Sequence, residues 1–194
     1  MKRRILITLS LIISINCYTQ SIGINHLIEF KNQKIGQIEE TLTLDNWENY
    51  ILEEKNNTGI LKSLGNRKKY IFKYITSDNY ELAKINITLS SKSPNKVGVF
   101  YETEDFDNYK GIIKNLKNNS YKMINSTSDL KVFFNPKLEI GARIFDSGIS
   151  KTYSDGINKV NLSTIKYKEV TDLNEETYKY ITVTVYELKV SNVW

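Results

Sequence analysis

What the chain lacks limits its chemistry first. It has one cysteine, Cys17, and one histidine, His26. A single cysteine permits neither an intramolecular disulfide nor a thiolate metal site. A Ser-His-Asp or Cys-His arrangement would have to recruit His26, which lies ahead of the patterned part of the chain and reads as a partly exposed structural residue. Zinc held by histidines falls for the same reason. No GxxxxGK[ST] or GxGxxG run occurs, so no phosphate cradle is expected. No catalytic, cofactor-binding or metal-binding residue is assigned, and no cofactor is expected.

Long apolar runs are also missing. The longest, Ile5 to Ile15, is well short of the roughly twenty residues that a bilayer-spanning helix needs, so no transmembrane helix is expected. It follows Lys2-Arg3-Arg4, and a cationic head before a short apolar stretch has the form of a secretory signal. Residues 1–19 are read as a signal peptide with cleavage before Gln20, and residues 20–194 as one exported domain, periplasmic, secreted or at the cell surface. The rival is a lipoprotein acylated at Cys17. Asn16 argues against it, because bacterial lipoprotein signals place a small residue there.

Losing the signal removes three of 27 basic residues and no acidic one, leaving 24 against 22, or +2. The basic balance is thus partly a property of the leader. Arg67-Lys68-Lys69 is the densest basic cluster and reads as the solvated flank of a strand. No concentrated basic face is evident, so nucleic acid is not an expected partner. Alanine occurs only at Ala83 and Ala142, while isoleucine, lysine, asparagine and tyrosine are abundant, a bias that fits an AT-rich bacterial genome.

Residues 34–74, moved forward by 62, align without a gap to 96–136 with 12 identities in 41 positions. Among them Lys34, Gly36, Glu40, Thr41, Asp45 and Asn46 meet Lys96, Gly98, Glu102, Thr103, Asp107 and Asn108. This predicts an internal duplication, with copies over about 34–89 and 96–145. Leu44, Trp47, Tyr50/Ile51 and Phe106, Tyr109, Ile112/Ile113, Leu116 then suggest one short helix per copy, N-capped by Asp45 and Asp107 and ended by Asn56-Asn57 and Asn118-Asn119. Strands are expected at 70–74, 83–89, 97–103, 130–134 and 138–144. Residues 35–41 fit strand or helix and are taken as strand on the strength of the copy.

After residue 146 the pattern changes. Asp146 to Asn158 reads as a long loop, and about 159–190 as a C-terminal β-hairpin turning at Asp172–Glu176. The expected fold is α+β: a largely antiparallel sheet with two short helices on one face, built from a duplicated strand-helix-strand-strand-strand unit plus that hairpin.

Carboxylates are the remaining chemistry. Glu40 and Glu102 occupy matching positions, and a pseudo-twofold could bring them together for carboxylate-dependent hydrolysis. The competing reading is that both are solvated and recur only because the unit recurs. Asp105, Asp107 and Asn108 lack the spacing of a calcium loop, while Asp146–Asp155 and Asp172–Glu176 are oxygen-rich loops. Tyr70, Tyr74, Tyr178, Tyr180 and Tyr186 could line a sugar- or peptide-binding face, though half-buried sheet positions suit them better. The expected function is a non-enzymatic binding or interaction module for a protein, peptide or glycan, with a carboxylate-dependent hydrolase and a lipid-tethered envelope protein as alternatives.

Overall fold

Alternation of apolar and polar residues, with turn residues between the runs, produces a chain dominated by strands. The computed structural model describes residues 22–55, 66–91, 93–128, 142–173 and 178–192. The expectations for residues 1–19, Cys17, Asn56-Asn57 and the strands at 130–134 and 138–141 lie outside them. In chain order the elements are α1 (Ile24–Phe30), α2 (Ile35–Leu44), β1 (Glu48–Lys55), β2 (Arg67–Ile75), β3 (Glu81–Ser90) and β4 (Ser93–Thr103). Then come α3 (Phe106–Asn118), β5 (Lys122–Thr127), β6 (Arg143–Ser154), β7 (Asn158–Leu173) and β8 (Tyr178–Asn192). The strands form one open sheet in the order β1-β2-β3-β4-β8-β7-β6-β5, antiparallel at every pairing.

The sheet-rich α+β architecture and the C-terminal hairpin, formed by β7 and β8, match the expectation. The described residues hold three helices, not two, and none is long and apolar enough to cross a membrane. The structure does not follow the 62-residue register. Residues 35–41 are helix while their counterparts 97–103 are strand, and residues 48–55 are strand while 110–117 are helix. Leu44, Trp47 and Tyr50/Ile51 therefore do not share a helix as the pattern suggested: Leu44 ends α2, and residues 50 and 51 lie in β1. Ile, Lys and Asn dominate the composition, and identities among such residues carry little conformational information.

Element order repeats in another way. A helix followed by a four-strand meander occurs twice, as α2–β1–β2–β3–β4 and α3–β5–β6–β7–β8. Both helices end alike. Asn46 (φ 59°) and Ser120 (φ 63°) take the left-handed conformation, and the next amides, of Trp47 and Tyr121, donate back to Leu42 and Leu116. This six-residue closure satisfies helix-end carbonyls. It also drops Trp47 and Tyr121, 4 % and 8 % exposed, into the core at the head of the following strand. The N-terminal ends differ. Asp105, not Asp107, caps α3, its carboxylate accepting from the Asp107 and Asn108 amides. For α2 the Gln37 side chain accepts from the Lys34 amide.

Register assigns each strand residue a face. Tyr70, Phe72, Ile85, Ile87, Val99, Tyr101, Leu188, Val190, Leu162 and Val160 share one side. They form a continuous core with Leu27, Phe30, Ile38, Leu42, Ile112 and Leu116 of the helices. All three helices therefore cover that side, and the opposite face of the sheet carries none of them.

The segment expected as a long loop, 146–158, is mostly β6. Its serines, threonine and glycine lack an apolar period, yet they pair with β5 and β7 on either side. Only Asp155–Ile157 turns, with Gly156 at φ +93°.

Candidate functional site

The helix-free face owes its chemistry to the other half of each alternation. One row runs across six strands as Lys73, Lys84, Glu102, Glu187, Ser163 and Ser150. The next runs Ile71, Asn86, Phe100, Lys189, Asn161 and Thr152. These rows cross the β4–β8 seam that joins the two meanders.

At one end of the face Arg143 ties the halves together. It donates to Glu104 at 2.6 Å and to Glu169 at 2.8 Å, reaching from β6 over β7 and β8 towards the end of β4. Tyr80 donates its hydroxyl to the same Glu104. Burial and that carboxylate push the Tyr80 hydroxyl up to about 12. This corner lines a hollow of about 320 Å³ with Lys84 and Glu102. Beside it Ile165, Val183 and Val185 are buried outside the main core, so this end of the face is structural.

At the seam Glu102 and Glu187 stand directly opposite each other. Such neighbours have Cβ atoms about 5 Å apart, and like charges there repel. Burial, then the Glu102 charge, raises the Glu187 carboxyl to about 7, with Lys84 opposing. Lys84 instead pairs with Glu102, at 3.2 Å. The result is one lysine-paired carboxylate beside one whose carboxyl is raised towards neutrality.

The other end of the face carries polar and charged side chains around Phe100, in a row that also holds buried Ile71 and Asn86. Two hollows share this ring and Lys189. The first, about 510 Å³, includes Arg67, Lys69, Asn86 and Thr88. The second, about 410 Å³, includes Ser150, Thr152, Lys159 and Asn161. Both lie in the size range of ligand sites. Thr152 donates to Asn161 at 2.9 Å, and Ser163 to Ser150 at 3.3 Å. The carboxamide of Asn86 is different. It is only 9 % exposed, and its Oδ1 has no hydrogen-bond partner among the described residues, which costs about 1–3 kcal/mol unless something else satisfies it.

The residues singled out from the sequence fall elsewhere, with one exception. Glu40 is exposed on α2, on the helix side, while Glu102 points to the opposite face. The proposed Glu40–Glu102 pair is therefore not assembled, because the register that matched them does not hold. Glu102 has a carboxylate partner after all, Glu187, which pattern reading could not place opposite it without the β4–β8 pairing. His26 is exposed on α1. Asp105 is occupied in capping, and the buried Asn108 accepts from the Tyr101 hydroxyl at 2.9 Å. Asp155 closes the β6–β7 turn; burial works to raise its carboxyl, but hydrogen bonds from Asn158 and Ile157 hold it well below the usual carboxylate range. Asp146 and Asp172 lie 3.6 Å from Lys168 and Lys179.

Tyr70, Tyr74 and Tyr186 are half-buried against the core on the helix side, in the sheet role favoured for them; nothing is described for the side chains of Tyr178 and Tyr180. Arg67, Lys68 and Lys69 lie within β2, an inner strand, rather than on an edge. Lys68 and Lys69 bridge to Glu54 at 2.7 Å and Glu53 at 3.7 Å on β1. No family model, curated protein or solved structure matches the chain.

Proposed function

We propose that this chain is an exported, non-enzymatic binding module and that it binds through the polar end of the helix-free face. Export rests on the signal pattern of residues 1–19. The observation that carries the binding surface is the pair of hollows that meet at Phe100, with the unsatisfied carboxamide of Asn86 beside them. Among the described residues Gln33 Oε1 and Trp47 Nε1 are buried without a partner too, but of these three groups only Asn86 lines a described hollow. The test is capture from the envelope and medium of the source organism, comparing the wild-type chain with a Phe100→Ala/Lys189→Glu variant of equal thermal stability. A stoichiometric ligand retained by the wild type and lost by the variant supports the reading. Equal retention by both sinks it.

The Glu102–Glu187 pair favours a second reading, a carboxylate-dependent hydrolase, since a carboxyl near 7 suits a general acid. Against it, Glu102 lines one hollow and Glu187 another, and none of the three described is lined by both. Hydrolysis of a polymeric substrate that disappears in both Glu187→Gln and Glu102→Gln would favour this reading over simple binding.

A further inference from the structure

We infer that the ligand of the two Phe100 hollows is an acidic saccharide chain, an inference that rests on the binding face proposed above. A protein partner would look for a different surface. Protein interfaces centre on a desolvated apolar patch with a polar rim, but here polar and charged side chains flank Phe100, the one aromatic ring lining either hollow. Nor does the face offer free backbone for an added strand, because β3, β4, β8 and β7 are paired on both sides. What it offers is side-chain hydroxyls and carboxamides on both sides of one ring.

That combination suits a polyol with an apolar face. A pyranose presents C–H groups on one side, able to lie against an aromatic ring, and hydroxyls around its edge that both donate and accept. Thr88 and Asn86 on one side of Phe100, and Asn161 and Ser150 on the other, supply matching groups. Asn86 adds a buried carboxamide in the wall of the first hollow, where sugar hydroxyls could both donate and accept.

Charge selects the acidic kind. Arg67, Lys69, Lys159 and Lys189 line the two hollows, against Glu187 alone among acids. Lys69 has Glu53 at 3.7 Å, while no ion pair engages Arg67, Lys159 or Lys189 among the described residues. A chain with a carboxylate on each sugar would cross the β4–β8 seam with one residue on either side of the ring.

The test is calorimetric titration of the signal-free chain with oligogalacturonate, with maltohexaose as neutral control and polyglutamate as acidic peptide control. Saturable binding of oligogalacturonate is expected, at least about 10-fold tighter than either control. Phe100→Ala and Lys189→Ala should each weaken it about 10-fold. Asn86→Leu, nearly isosteric, should weaken binding while leaving the thermal midpoint unchanged or raised, because it removes an unsatisfied oxygen. A purely structural Asn86 would instead lower the midpoint and leave affinity alone. Absence of saturable binding, equal affinity for polyglutamate, or indifference to Phe100→Ala overturns the inference. If those failures coincide with a Phe100-dependent protein in the capture experiment, the ligand class is wrong and the binding face stands.

Discussion

The two faces of the sheet are built from the same strands and obey different rules. On the helix side, Phe72, Ile85, Ile87 and Val99 are at most 1 % exposed and packed under three helices. One residue along each strand, on the other side, stand Lys73, Lys84, Asn86 and Phe100, where ion pairs and polar hollows adjoin a smaller buried group of Ile165, Val183 and Val185. The difference teaches that stability and recognition are segregated by the pleat. Substitutions should divide by face, with stability losses on one and losses of binding on the other.

The largest expected effect is on the packed side. Phe72→Ala removes a fully buried ring and should cost about 3–5 kcal/mol in denaturant unfolding. A loss below about 1 kcal/mol would mean that the helices do not cover this face as described.

Glu187 gives the next largest effect, and its sign depends on pH. Its carboxyl is raised from the ordinary 4.5 to about 7 in the folded chain. The folded state therefore holds the proton more tightly, and this stabilisation is fully present below about 4.5 and is lost as pH rises through 7. Glu187→Gln should be more stable than wild type by about 1–2 kcal/mol at pH 8, a range that allows for solvent screening, with the advantage shrinking towards pH 4.5. An advantage independent of pH would break the link to Glu102. Arg143→Ala comes next. It leaves Glu104 and Glu169 without their shared cation and should cost about 1 kcal/mol at low salt, less at high salt. Phe100→Ala should change stability least, by under about 1 kcal/mol, while abolishing most ligand binding.

Several parts of this arrangement were legible in the sequence. The alternation of Tyr70-Phe72-Tyr74, Ala83-Ile85-Ile87 and Val97-Val99-Tyr101 marked three strands, and Tyr109, Ile112 and Leu116 marked α3. The first half misled because Ile35, Ile38 and Leu42 carry a helical period as well, and the apparent copy tipped the choice to strand. Buried Trp47 fits a helix face in the pattern, whereas it closes α2 just ahead of β1. In α1, Ile24, Leu27 and Phe30 carried a helical spacing that went unread beside the leader. β6 was hidden because its face is polar: Ser147, Ser150 and Thr152 look like loop chemistry until neighbouring strands pair with them. The site was hidden for a related reason. Asn86, Phe100, Lys189 and Asn161 are far apart in the chain and become neighbours only through pairings that no local pattern encodes.

The most direct test of the division between faces is an amide-resolved NMR titration of the signal-free chain with oligogalacturonate. The largest shift changes should fall at Asn86, Phe100, Asn161 and Lys189, with α2 and α3 unmoved. Changes concentrated on the helices, or spread evenly over both sides of the sheet, would contradict it.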